Sequence, residues 1–115
     1  MDPLRIDTAR TAAGTVLSLA GELDLSTVGL AEDALFQIEN EVEGPLSLDL
    51  RRLVFIDSTG LRFVLTAHAR AAEHGRPFEI VRGPDPVHRV FLLTRLEERL
   101  PFVDAPGASG GGGPG

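Results

Sequence analysis

The feature that most constrains the fold is one unbroken run, residues 46–60. Leu46, Leu48 and Leu50 alternate with other side chains, and Leu53, Val54, Phe55 and Ile56 are continuously apolar. A strand written this way is expected to lie inside a sheet, buried on both faces, as in parallel sheets covered by helices. It runs directly into Asp57-Ser58-Thr59-Gly60, after which apolar residues recur at helical spacing. Strand, tight polar turn, amphipathic helix is the unit of an α/β sheet, and in such sheets sites gather where strands end and helices begin.

The rest of the chain reads the same way. Leu4, Ile6 and Thr8 alternate, Ala13-Gly14 gives a turn, and Val16 to Ala20 makes a second strand, so the chain opens with a hairpin. Val28, Ala31, Leu35, Ile38 and Val42 mark one face of a helix, with Ser26 or Thr27 placed to cap it and Gly44-Pro45 to stop it. A second helix is predicted from about Gly60 to His74, with Leu61, Val64, Leu65, His68 and Ala72 as its buried stripe and Gly75 as its terminal cap. Phe78 to Val81 is a short strand. Asp85 and Pro86 start a third helix, and Phe102-Val103 gives a final edge strand. The expected architecture is a single α/β domain: a mixed, mostly parallel sheet of about five strands with three to four helices packed on it. It spans residues 1–104. Residues 105–115 are a Gly-rich tail too poor in apolar residues to pack.

Composition excludes several functions. The net charge of −6 argues against direct nucleic-acid binding, which needs excess Lys and Arg. There is no cysteine, hence no disulfide, thiol nucleophile or thiolate metal site. His68, His74 and His88 have no metal-ligand spacing with each other, so no metal site and no cofactor is expected. No signal peptide or membrane span is read, which leads to the expectation of a cytoplasmic protein without membrane attachment.

Ser58 stands at a helix N-terminus, where exposed N–H groups and the helix dipole favour an anion. Taken alone, the turn reads as an ordinary helix cap, with Asp57 or Ser58 as the N-cap. Ser58 is not a hydrolase nucleophile by its context, because Ile56 stands where a Gly-x-Ser-x-Gly elbow needs its first glycine. An enzyme is therefore not expected.

The context narrows the choice. Asp49 within an apolar strand, an apolar pair, then Asp57-Ser58-Thr59-Gly60-Leu61 resembles the signature of the STAS domain family, named for sulfate transporters and anti-sigma factor antagonists. Gly21-Glu22-Leu23-Asp24 resembles the family's second motif, after the second strand. The similarity by element order covers roughly residues 4–104. In the antagonist branch, the resemblance implies phosphorylation on Ser58 and a partner-binding surface that includes Glu22, Asp24, Asp57, Ser58, Thr59, Gly60, Leu61 and Arg62. Arg62 stands where many antagonists have Gly. The implied mechanism is partner switching. The unphosphorylated protein would bind an anti-sigma factor that is also a serine kinase, releasing a sigma factor, and a serine phosphatase would reset it. An alternative implied by the same family is a soluble STAS subunit of a membrane transport system, bound to its ATPase. A scaffold subunit of a stress-sensing complex is a further alternative. A weak homodimer is left open.

Overall fold

The computed structural model describes residues 3–108. Five strands and three helices follow in the order β1 (Leu4–Thr11), β2 (Gly14–Leu23), α1 (Val28–Glu41), β3 (Leu46–Ile56), α2 (Ser58–Glu73), β4 (Phe78–Val81), α3 (Asp85–Leu93) and β5 (Phe102–Val103). They form one sheet in the spatial order β1-β2-β3-β4-β5. The hairpin partner β1 runs antiparallel to β2, and β2 through β5 are parallel. The sheet is thus mixed and mostly parallel, as the hairpin and the strand–helix alternation require.

The core is aliphatic. Leu17, Leu19, Leu23, Leu48, Leu50, Leu53 and Ile80 are fully buried, with Phe91 the largest enclosed side chain. α1 packs on β1 and β2, α2 on β3 and β4, the two helices on each other, and α3 on β3. Ala31, Leu35 and Ile38 supply the buried face of α1, in line with its periodicity.

Three details depart from the sequence reading. First, β3 is not buried along its whole length. Its pairing with β4 covers Leu46 to Asp49 and goes no further. Beyond that point the strand outruns its neighbour, and Val54 and Phe55 are 68% and 49% exposed. Second, α2 is turned relative to the expected stripe. Gly60, Phe63, Val64, Ala67 and Ala71 are buried, whereas Leu61, Leu65 and His68 are half-buried and Ala72 is exposed. Small residues let the helix approach its neighbours closely, and Phe63 fills the space beside them. Third, Ala105 to Ala108, at the start of the expected tail, form a turn. The Gly107 amide donates to Glu79, which also accepts from the buried Ser47 hydroxyl. The remainder of that tail lies outside the described residues.

Candidate functional site

β2 and β3 are parallel neighbours, so the turns that follow them emerge together at one end of the sheet. Glu22 pairs in register with Phe55 and Leu23 with Ile56. The Asp57 amide then donates to the Leu23 carbonyl at 3.3 Å. This brings the Gly-Glu-Leu-Asp segment against the Asp-Ser-Thr-Gly turn, although the two lie more than 30 residues apart in sequence.

Asp57 is the junction. It is the N-cap of α2, and its Oδ1 accepts from the Gly60 amide at 2.9 Å. Its Oδ2 accepts from the Leu25 amide at 3.1 Å, across to the other turn. One carboxylate thereby caps a helix and ties the two loops together. Asp24 organises the first turn from within. Its Oδ1 accepts from the Ser26 amide at 3.0 Å and the Ser26 hydroxyl at 2.7 Å, with the Thr27 hydroxyl at 3.3 Å. Hydrogen bonding from Ser26, and then from Thr27, holds the Asp24 carboxyl below its ordinary value of 3.8.

Thr27 does not cap α1 in the expected way, because its hydroxyl makes no bond into the helix. It is 1% exposed. The hydroxyl accepts from the Asp24 amide at 3.0 Å and donates to the Glu22 carbonyl at 2.8 Å, so it closes the loop beneath the helix start. Ser58 has the opposite situation. It is exposed at the first position of α2. Among the described residues, no hydrogen bond engages the hydroxyl of either Ser58 or Thr59. The Ser58 and Thr59 amides, the first two of α2, have no acceptor earlier in the helix, while the Gly60 amide is taken by Asp57.

The other residues named from sequence divide cleanly. Arg62 and Glu22 are exposed, Leu61 and Thr59 half-buried, and Gly60 buried. Gly60 serves packing: a Cβ there would stand 2.5 Å from the Leu23 carbonyl oxygen and 2.8 Å from Ile56. Asp49 sits in β3, paired with Arg51 at 2.9 Å. Burial raises its pKa, but the Arg51 hydrogen bonds and charge outweigh that and hold the carboxyl below its ordinary range. The sequence reading missed the apolar part of the surface. Leu25, 76% exposed, stands on the β2–α1 turn that Asp57 grips, and Val54 and Phe55 lead into the neighbouring turn of Asp57 itself. The signal for Leu25 was its place between Asp24 and Ser26, where an apolar side chain has no core to enter.

None of the three histidines belongs to this region. His88 is buried against Phe91 and Phe102, with ring centroids 6.0 and 4.7 Å away. Burial, and then the Arg82 charge, push its pKa below 6.5. Among the described residues, no group of three or more His, Asp or Glu is placed to hold a metal ion. No helix there is long and apolar enough to cross a membrane.

Residues 6–104 match the family model described as Mlab, STAS domain. The chain belongs to the STAS domain family. Its fold is shared with an anti-sigma factor antagonist from Mycobacterium paratuberculosis, at 21% identity and a TM-score of 0.81 over 90% of this chain and 87% of that one. It is also shared with the anti-sigma factor antagonist SpoIIAA in its unphosphorylated form, at 20% identity and a TM-score of 0.72 over 91% of each chain. A third solved structure, of a candidate anti-sigma factor antagonist from Thermotoga maritima, matches at 20% identity and a TM-score of 0.74 over 90% of each chain. A search of curated protein sequences finds no significant match. At these identities the likeness shows the fold alone.

Proposed function

We propose that this STAS domain is an anti-sigma factor antagonist whose binding to an anti-sigma factor is switched off by phosphorylation of Ser58. The observation that carries the reading is the exposed Ser58 hydroxyl, without a hydrogen-bond partner, beside a carboxylate and apolar side chains that a partner would cover. Ser58 is a substrate here and not a catalyst. The bound kinase supplies ATP. The Ser58 oxygen bonds to the γ-phosphorus, the bond from that phosphorus to the β-phosphate bridging oxygen breaks, ADP leaves, and the serine proton passes to a base of the kinase.

The switch follows from electrostatics. Phosphorylation adds about two negative charges within an interface. Asp57, Asp24 and Glu22 are already at this end of the sheet, so the added charge meets like charges as well as losing solvation. A coupling of about 1–3 kcal/mol is enough to exchange partners. The Ser58 and Thr59 amides at the start of α2 offer the phosphate compensating bonds in the free protein, which favours the released state. A serine phosphatase would restore the binding form.

Intact mass spectrometry with ATP and the cognate anti-sigma kinase tests this. Wild type and Thr59→Ala gain one phosphate, and Ser58→Ala gains none. Ser58→Asp binds the kinase at least tenfold more weakly than wild type. Transfer to Thr59 in the wild type, or unchanged affinity of Ser58→Asp, defeats the proposal.

A further inference from the structure

A second surface lies farther along the helices. α1 carries Glu32, Asp33, Glu39 and Glu41 and no basic residue. Between α1 and α2 runs a cleft of about 320 Å³, with Leu35, Phe36 and Phe63 among its walls and Glu32 and Asp33 on its rim. It meets a second cleft of about 390 Å³ that shares Leu35, Phe36, Glu39 and Arg70. Phe36 stands over both and is 63% exposed, while Leu35 and Phe63 beneath it are buried.

The charges of this groove are not balanced within the chain. Arg70 of α2 is already held by Glu39 through bonds of 2.8 to 3.1 Å, Arg76 donates to the Val42 carbonyl, and Arg5 of β1 shares a neighbouring cleft with Asp33 without forming an ion pair with it. Among the described residues, Glu32 and Asp33 have no ion-pair partner. An apolar floor with an exposed aromatic and an unpaired acidic rim is complementary to one kind of ligand. That ligand is an amphipathic helix with apolar residues on one face and Lys or Arg beside them.

We propose that the α1–α2 groove is a docking site for a basic amphipathic helix of another protein. An apolar side chain of that helix packs beside Phe36, and its cations meet Glu32 and Asp33. Charge selects this occupant over a second copy, since pairing two copies through this face would set acidic rims against each other in a chain of net charge −6. The groove begins more than a turn beyond Ser58, and Arg70 is about 18 Å along α2 from it. A partner seated here leaves the Ser58 turn open, so the site adds an attachment point to the switch.

The test is an NMR titration of the ¹⁵N-labelled full chain with a synthetic Leu/Lys amphipathic peptide and with its Leu/Glu counterpart. The Lys peptide produces saturable shifts confined to residues 30–40 and 63–74, and the Glu peptide produces none. Phe36→Ser weakens the Lys peptide about tenfold, and Glu32→Lys with Asp33→Lys abolishes its binding. All three substitutions alter exposed side chains, and unchanged shifts elsewhere confirm the fold. Shifts spread over residues 22–26 as well, or an unaltered affinity in Phe36→Ser, reduce the effect to unspecific charge attraction and overturn the proposal. Concentration-dependent shifts in the groove without peptide assign it to a second copy and overturn it equally.

Discussion

The two turns that meet at the end of the sheet are built from the same residue types and use them oppositely. In the β2–α1 turn, Asp24, Ser26 and Thr27 are bound to one another and to the backbone. In the β3–α2 turn, Asp57 is bound, but the hydroxyls beside it make no hydrogen bond among the described residues, and Ser58 is exposed. The difference lies in where each hydroxyl falls. Thr27 precedes its helix and points beneath it, whereas Ser58 opens its helix and points out. A hydroxyl that closes a loop is a structural fixture, and one that closes nothing is available to a partner's chemistry.

The largest effect should come from the backbone that holds Ser58 out. Gly60→Ala would place a Cβ 2.5 Å from the Leu23 carbonyl oxygen, and overpacking of this kind costs about 3 kcal/mol. Urea unfolding would report it as a lower midpoint at unchanged slope. If the variant were as stable as wild type, the β3–α2 turn would be loose, and the contrast between the turns would fail.

Next come the hydroxyls themselves. Thr27→Val keeps the shape but leaves the Glu22 carbonyl and the Asp24 amide without their partner, at about 2 kcal/mol. Ser58→Ala should change stability by less than about 0.5 kcal/mol, as exposed substitutions do. Equal costs measured by thermal or urea unfolding would erase the distinction.

Asp57→Ala removes the cap of α2 and the tie to Leu25, for about 1 kcal/mol. Hydrogen exchange should quicken at Gly60 and at Leu25 together. Acceleration at Gly60 alone would mean that the two loops are not coupled through this carboxylate.

The smallest effect is electrostatic. Asp24 titrates below 3.8 in the folded chain. Its pKa is depressed, so its contribution to stability is present above 3.8 and is lost as pH falls through the folded value. A carboxyl NMR titration of Ser26→Ala should bring the midpoint back up toward 3.8. An unchanged midpoint would assign the effect to something other than the local bonds.

Much of the fold could be read from local pattern, because period and caps are local properties. Leu4, Ile6 and Thr8 marked β1, Ala31, Leu35 and Ile38 marked the inner face of α1, and the run into Asp57-Ser58-Thr59-Gly60 marked the strand–turn–helix that carries the candidate site. The motif spacing placed Asp24 and Ser58 on successive turns. What the sequence could not supply depended on neighbours distant along the chain. Val54 and Phe55 read as core, but past the end of the β4 pairing only Leu50, Leu53 and Ile56 of the apolar residues are covered, and Val54 and Phe55 are exposed. The rotation of α2 came from how closely Gly60, Ala67 and Ala71 could approach their surroundings, which periodicity alone does not fix. The bond from Leu25 to Asp57 spans 32 positions and exists only because β2 and β3 are adjacent and parallel. The chain by itself determined which residues stand in turns; the tertiary structure decided which of their polar groups were already used, because hydrogen bonds across a sheet are set by strand order and not by sequence distance.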